Sequence, residues 1–417
     1  MVNTTLWQNN ISMNNFNTLQ AINATCPACG LLCDDIALDN KNNQISITNS
    51  GAKNCAKSVA FFEQKTAEDS PQIAGKPATL AQAVAKIAEI LNRAKQPLFT
   101  GLSTDVAGFR AVFKLAQKTN GHLTHANAAS SQRNLNVLQS TGWQTTTLTE
   151  VKNRADVIVC IGTDIVSHNP RFFERIVWHN EAMFVDSQAR EVIYIGENCD
   201  VSAGISPKGR HPSLLACRAG DLPEITLVLR ALVAGKTLKA TQVAGVKISD
   251  LQIVADKLKN AKYAVLAWVA KDLDFSHAEL TIQNITQTVA ALNEKTRAAG
   301  LPLGGSDGDT TANYANTWLS GMALNDSQVE HDCEVWVNGF GIDKKTPKSD
   351  KTLIVFGNSN CQFETVPDVF IPIATPGLDC SGTLFRVDSS VVLPLKKVRE
   401  NSLPTLAEVV NEIEKLL

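Results

Sequence analysis

The stretch NATCPACGLLCDDI, Asn23 to Ile36, sets three cysteines inside eight residues, and a fourth follows at Cys55. Cys26, Cys29, Cys33 and Cys55 together read C-x2-C-x3-C-x21-C. Four thiolates either complete a tetrahedral zinc shell or hold one iron each at the corners of a [4Fe-4S] cube. The looping C-x2-C-x3-C turn suits the cube. Zinc ribbons pair two C-x2-C knuckles, and this chain has one. Without metal, the four would be buried thiols packed as small hydrophobes. The spacing favours metal, with a [4Fe-4S] cluster as the first expectation and structural Zn as the alternative. Asp34 and Asp35 follow Cys33 directly and are placed to cap a helix or to hydrogen-bond within the same module. Acids beside thiols raise their pKa, which fits a buried structural role better than a reactive one.

A second stretch with chemical potential is LPLGGSDGDTTAN, Leu301 to Asn313. Gly304, Gly305 and Gly308 could bare backbone N–H groups to a phosphate. Asp307 and Asp309 stand in the same loop, however, and no Lys or Arg occurs from Leu301 to Leu324. Like charges about 4 Å apart at a protein surface cost roughly 4 kcal/mol, so a turn is the better reading than a phosphate cradle. His122 and His125 are three apart in an extended segment and need not face one way; they read as core or edge residues. His168, in VSHNPR, follows an apolar run and suits a pocket, with no nucleophile or second ligand beside it in the sequence. Trp143, Trp178, Trp268 and Trp318 read as packing or interface anchors. Neither a Ser/His/Asp arrangement nor a GxGxxG is present.

These groups need elements to position them. From about residue 72 helical and strand patterns alternate. Thr79 opens an apolar stripe at Leu80, Val84, Ile87 and Leu91, and DVAGFRAVFKLAQKTNG gives a helix closed at Asn120-Gly121. ADVIVCIG (155–162), REVIYIG (190–196), AKYAVLAWV (261–269), KTLIVFGNSN (351–360) and DVFIPIAT (368–375) are continuous apolar runs ending in Gly, Asn, Thr or Val. Such runs are strands buried on both faces of parallel sheets. A long helix is expected over Phe275–Gly300. The fold class is α/β with more than one doubly wound sheet, and ligands collect beyond Gly162, Gly196, Val269 and Gly357, at strand carboxyl ends. DDIALDNKNNQISITNSGAKNC reads instead as a hairpin around an Asn-rich turn, ending at Cys55.

The chain has 417 residues, 44% of them hydrophobic, enough for two or three domains with cores of their own. A net charge of −2 without basic runs gives no case for nucleic acid. No apolar run approaches the length of a membrane span, and the Asn-rich first twenty residues read as an extended arm, not a signal peptide. Ten cysteines are too sparse for a disulfide scaffold, so the expected compartment is the cytoplasm.

The four cysteines followed by α/β domains resemble the N-terminus of the molybdopterin formate dehydrogenase superfamily, and more closely the B subunit of formylmethanofuran dehydrogenase. CGLLCDDI (29–36), TLTEVKNRADVIV (147–159), NPRFFERI (169–176), NTWLSG (316–321) and DVFIPIATPGLDCSGTLFRVD (368–388) carry the likeness, which runs from about Ala24 to the final helix. The resemblance implies two Rossmann-like domains plus a small N-terminal Cys-rich β module, the formate dehydrogenase/DMSO reductase-like domains I–III. The boundaries it suggests are 1–70 for the arm and four-Cys module, 71–126 plus 301–417 for the first α/β domain, and 127–300 for the second.

Redox members of that family bind a tungsten or molybdenum bispterin. A Cys ligates the metal, a His beside it handles protons, and an Arg from a later loop binds the carboxylate. At the matching positions this chain has Ser130 and Ser131 for the Cys-His pair, Gln132-Arg133 for the Gly-Pro that follows, Gly304 for the Arg and Ser306 for the later His. A serine hydroxyl is hard and un-ionised where the metal wants a soft anion. No molybdopterin or tungstopterin is therefore expected, and Ser130, Ser131 and Gly304 mark a vestigial site. This pattern resembles the B subunit of the bacterial formyltransferase/hydrolase complex. That likeness implies a non-redox scaffold in tetrahydromethanopterin-linked oxidation of formaldehyde to formate. The implied partners are the hydrolase (A), the formyltransferase (D) and the C component of the same complex. Two readings compete with it: a catalytic tungsten or molybdenum subunit with a serine ligand, and an iron–sulfur electron-transfer subunit.

Overall fold

The computed structural model describes residues 22–65, 70–306, 308–324, 329–341 and 345–417; the expected N-terminal arm lies outside them. Two parallel sheets dominate. In the first, the parallel strands run in the spatial order His122–Leu123, Pro97–Ser103, Cys333–Asn338, Thr352–Gly357, Val369–Pro372, with the antiparallel hairpin of Gln72–Ile73 and Lys76–Pro77 on the far edge. Counted along the chain this is 2-1-3-4-5. In the second, Ser213–Leu215, Glu191–Ile195, Val157–Ile161, Ala264–Val269 and Ala298–Leu303 are all parallel in the order 3-2-1-4-5. Both are orders of doubly wound sheets, in which the reversal of strand order opens a crevice at the carboxyl ends.

The strands form where the sequence is continuously apolar, and the sheets are buried as such runs require. On the second sheet, Val157, Val159, Ile193, Leu266 and Trp268 pack on the helices Leu222–Val233, Ile248–Asn260 and Glu279–Leu292. Their alternates, Ile158, Cys160, Tyr194, Val265 and Ala267, pack on Ile36, Leu38, Phe61 and Phe62 of the N-terminal module. That module therefore shares one core with the second sheet. The first sheet packs one face on the helices Leu80–Arg93, Val106–Lys118 and Leu406–Glu414. Thr79 caps the first of these through a reciprocal pair with Gln82, as its position predicts.

Two expectations need correction. The helix read over Phe275–Gly300 stops at Leu292, and Ala298–Leu303 is a strand of the second sheet. Asn293 makes the turn, its side chain donating to the Ala298 carbonyl at 2.8 Å and accepting from the Ala298 N–H at 3.0 Å. The suggested domain boundary after residue 300 thus runs through this strand. The hairpin Ile36–Lys41/Gln44–Ile47 turns at Asn42-Asn43, both with positive φ, but it ends before Cys55. Short helices Ser50–Lys53 and Ala56–Phe62 follow, and Cys55 is the residue just before the second. Among the described residues, no helix is long and apolar enough to cross a membrane.

Candidate functional site

The four cysteines come together. The turn from Cys26 to Cys33 is closed by the Cys26 N–H donating to the Cys33 carbonyl at 2.9 Å, with the Leu32 N–H on the Cys29 carbonyl at 3.2 Å inside it. All four thiols are buried. Burial first, then the nearby Cys29, pushes Cys26 up to about 12. Burial and the same thiol neighbours also raise Cys33. Donors that favour a thiolate surround them: the Ser58 hydroxyl on Cys26 Sγ at 3.2 Å, the Asn169 amide and the Lys57 charge at Cys29, and the Arg171 and Arg175 charges at Cys33. An all-sulfur, water-shielded donor set ringed by cations fits thiolate ligation of a metal. Among the described residues, no three His, Cys, Asp or Glu side chains are disposed to hold a single metal ion.

Asp34 and Asp35 do not play the part expected of them. Arg171 grips Asp35 with both terminal nitrogens at 2.8 and 2.7 Å, and Arg175 reaches Asp34 at 2.7 Å and Asp35 at 2.9 Å. Burial would lift the Asp35 carboxyl, but the Arg171 hydrogen bonds and both guanidinium charges hold it below the usual range. The acids are spent on docking the module to the NPRFFERI segment, and the cations bear on the thiols.

A cavity of about 330 Å³ opens at the carboxyl ends of Ala264–Val269 and Ala298–Leu303. Ser130 and Ser131 reach it from the helix Ala128–Thr141, Asn313 and Tyr314 from the helix Asp309–Ser320, and Gly304 and Ser306 from the loop between. The positions singled out in the sequence thus share one wall. Their chemistry is quiet. The Ser130 hydroxyl donates to the Asn127 carbonyl at 2.8 Å, Ser131 Oγ accepts from Asn313 at 3.4 Å, and Ser306 Oγ accepts from Asn127 at 3.2 Å. Among the described residues lining the cavity there is no Cys and no Arg.

The acidic character read from the loop is weaker than the sequence implies. Asp307 lies outside the described residues. The Asp309 carboxylate accepts from the Asn127 amide at 2.9 Å and from the Thr310 N–H at 2.6 Å, at the start of a helix where the dipole favours an anion. Lys271, on the loop after Val269, adds an ammonium to the lining. The sequence hid it because it arrives from another strand end.

His168 also lines the cavity and, contrary to expectation, has a partner: its Nε2 is 2.5 Å from Asp272 Oδ1. The Lys57 ammonium donates to the His168 carbonyl at 2.7 Å, so one residue of the four-Cys module borders both places. His122 sits on an edge strand and His125 is buried with Nδ1 accepting from the Asn127 N–H at 3.2 Å, the core-and-edge placement expected. Trp268 packs against Trp143 with centroids 5.9 Å apart and donates to Asn134 at 2.9 Å. Trp318 stands 61% exposed beneath the Arg110 guanidinium. The crevice at the second sheet's strand reversal, about 290 Å³, is lined by Gly162, Gly196 and the acids Asp164, Glu197 and Asp272.

Comparison with known proteins gives a consistent set of relatives. The chain is 25% identical over 418 residues to the B subunit of the tungsten-containing formylmethanofuran dehydrogenase 2 of Methanococcus maripaludis, covering 90% of this chain and 93% of that one. It is 28% identical over 267 residues to the B subunit of the formyltransferase/hydrolase complex Fhc of Methylorubrum extorquens, covering 62% of this chain and 67% of the relative. Among solved structures it matches a chain of the FhcABCD complex from M. extorquens, determined with methylofuran, at TM-score 0.68 and 22% identity over 83% of this chain and 98% of that one. Acetylene hydratase from Pelobacter acetylenicus matches at TM-score 0.65 and 10% identity, over 94% of this chain and 68% of the hydratase. No protein-family model matches the sequence.

Proposed function

We propose, starting from a chain related along most of its length to the B subunits of formylmethanofuran dehydrogenase and of the formyltransferase/hydrolase complex, that it is a non-redox, architectural B subunit of a formyltransferase/hydrolase assembly. In this reading it works in the cytoplasm with hydrolase, formyltransferase and a further subunit. Formyl transfer and hydrolysis to formate move no electrons, so the B subunit needs no metal redox site of its own. The observation that carries the reading is the cavity wall. Where a redox member needs a thiolate, an imidazole and a guanidinium, the wall presents Ser130 bonded to the Asn127 carbonyl, Ser131 and a bare Gly304. The one histidine among the described lining residues, His168, is tied to Asp272.

Cys26, Cys29, Cys33 and Cys55 are proposed to hold a [4Fe-4S] cluster, with structural zinc as the alternative. The looping C-x2-C-x3-C turn suits a cube, each of whose corners takes a single thiolate. At this site such a cluster would supply folding energy to a module whose own core is small. The domains are proposed to follow the formate dehydrogenase-like plan of an N-terminal β module and two doubly wound units.

A second reading has an observation in its favour. Lys271 and the hydrogen-bonded charge of Asp309 leave the cavity able to accept an anion, as a tungsten-containing subunit would require. Purification of the chain from its host with its partners, followed by elemental analysis, separates the two. Copurifying hydrolase and formyltransferase without tungsten or molybdenum support the architectural role, and stoichiometric tungsten or molybdenum with pterin refutes it.

A further inference from the structure

The four-cysteine turn and the loop of the cavity wall touch backbone to backbone. A Cβ placed on Gly30 would lie 2.7 Å from the Gly304 carbonyl oxygen and 2.8 Å from Gly305 Cα, and one on Gly305 would lie 2.5 Å from Gly30 Cα. Glycines facing one another are what permit this approach. The Gly30 carbonyl accepts from the Val387 N–H at 2.9 Å, and Val387 lines the cavity.

Asn169 makes a second bridge. It is fully buried. One amide proton goes to the Gly304 carbonyl at 3.1 Å, and the same amide lies near the Cys29 thiol, where it favours the thiolate. Its own carbonyl oxygen has no hydrogen-bond partner. The amide thus stands between the cavity loop, to which it is bonded, and a proposed metal ligand. In that loop Gly304 and Gly305 both have positive φ, and beyond them Ser306 is tied to Asn127.

We infer that the four-cysteine site is a mechanical latch for the cavity. A metal held through Cys29 fixes Gly30 and Asn169, and these two fix residues 304–306, so the state of the metal site sets the shape of a pocket with no redox chemistry. The inference rests on reading the four thiols as metal ligands. The coupling is reciprocal: whatever orders the loop also strengthens metal retention.

Hydrogen exchange on the full chain with its copurifying partners tests it, read at residues 26–33 and 301–306 before and after removal of metal by a chelator, with metal counted in each sample. Removal is expected to loosen both segments together. Asn169→Ala, in preparations that keep their metal, is expected to speed exchange at 304–306 by about tenfold, the scale of one lost hydrogen bond, while 26–33 stay protected. Gly30→Ala, which pushes on the loop without touching a thiol, should do the same. A loop that exchanges alike with and without metal while 26–33 loosen overturns the latch and leaves the ligand reading standing. A chain purified without metal overturns both.

Discussion

Replacing Arg171 by leucine should undock the N-terminal module from the second sheet. Arg171 is 4% exposed and bonds two carboxylates: Asp35 at 2.8 and 2.7 Å, and Glu174 at 3.0 and 2.6 Å. The turn Ser50–Lys53 closes over this cluster so tightly that a Cβ on Gly51 would fall 2.5 Å from Glu174 Oε1 and 2.9 Å from Arg171 Nη2. Breaking a buried pair by removing one partner costs about 3–5 kcal/mol. Two features reduce that here. Glu174 keeps 49% of its side chain in water, so its half of the bond is worth about 0–1 kcal/mol. Asp35, 30% exposed, retains Arg175 at 2.9 Å. The expected loss is about 2–3 kcal/mol, or roughly a 30- to 150-fold rise in the fraction of undocked module.

Limited proteolysis and hydrogen exchange of the full chain read that fraction at residues 36–47, which lie on the module and not on either large sheet. Arg171→Lys is the informative companion, since an ammonium keeps the charge and loses the two-pronged grip. It should recover less than half of the loss. If Arg171→Leu leaves residues 36–47 as protected as in the parent, while the second sheet is intact, the guanidinium is not what holds the module.

Four further outcomes are expected. Cys29→Ser should abolish metal retention and lower the melting temperature of the module, and an unchanged melting curve with unchanged metal content would contradict it. Ser130→Ala, which removes only a hydroxyl bonded to the Asn127 carbonyl, should leave formate production by the assembled complex as it was and stability within about 1 kcal/mol. Arg190→Met should cost about 2–4 kcal/mol in urea unfolding, because the Lys152, Ala155, Ile176 and Val177 carbonyls all lose their donor. Burial draws the Asp388 carboxyl upward, but Arg386 and the Leu148 N–H hold it below the usual range, so its contribution is present above about pH 4 and disappears as pH falls through its folded value. Asp388→Asn should flatten that part of the stability curve between pH 4 and the acid limit, about where the free carboxyl titrates, as followed by melting temperature.

What could be read from the sequence was local. Strands such as Val157–Ile161 and Thr352–Gly357 announce themselves because both faces are buried and every residue must be apolar. Ala298–Leu303 is also a buried strand, but Ala-Ala-Gly-Leu-Pro-Leu lacks β-branched residues and runs on from a helical pattern, so periodicity assigned it to the helix. The site residues divide in the same way. Ser130, Ser131, Gly304 and Ser306 were found by their neighbours in sequence, and all four line one cavity. Lys271, Asp272 beside His168, and Asn169 between Cys29 and Gly304 reach the site from strand ends and loops far away along the chain. No local pattern marks Lys271 or Asp272, and Asn169 shows only as the first residue of the NPRFFERI stretch. Asp34 and Asp35 show the converse: adjacency to Cys33 suggested an influence on the thiols, and partners some 136 residues away decide what they do.

Charge was the sequence's main objection to a polyanionic cofactor, and the structure weakens it. The Asp309 carboxylate sits at a helix start, where the dipole favours it, and is bonded to Asn127 and the Thr310 N–H. Lys271 supplies a cation to the same cavity. What distinguishes this cavity is its donor set. Redox relatives are expected to hold their metal through a thiolate, and the Ser130 hydroxyl is neutral, hard and already committed to the Asn127 carbonyl. The case for the proposed architectural role rests on coordination chemistry: the described wall offers an uncharged serine hydroxyl where the redox relatives are expected to place a thiolate.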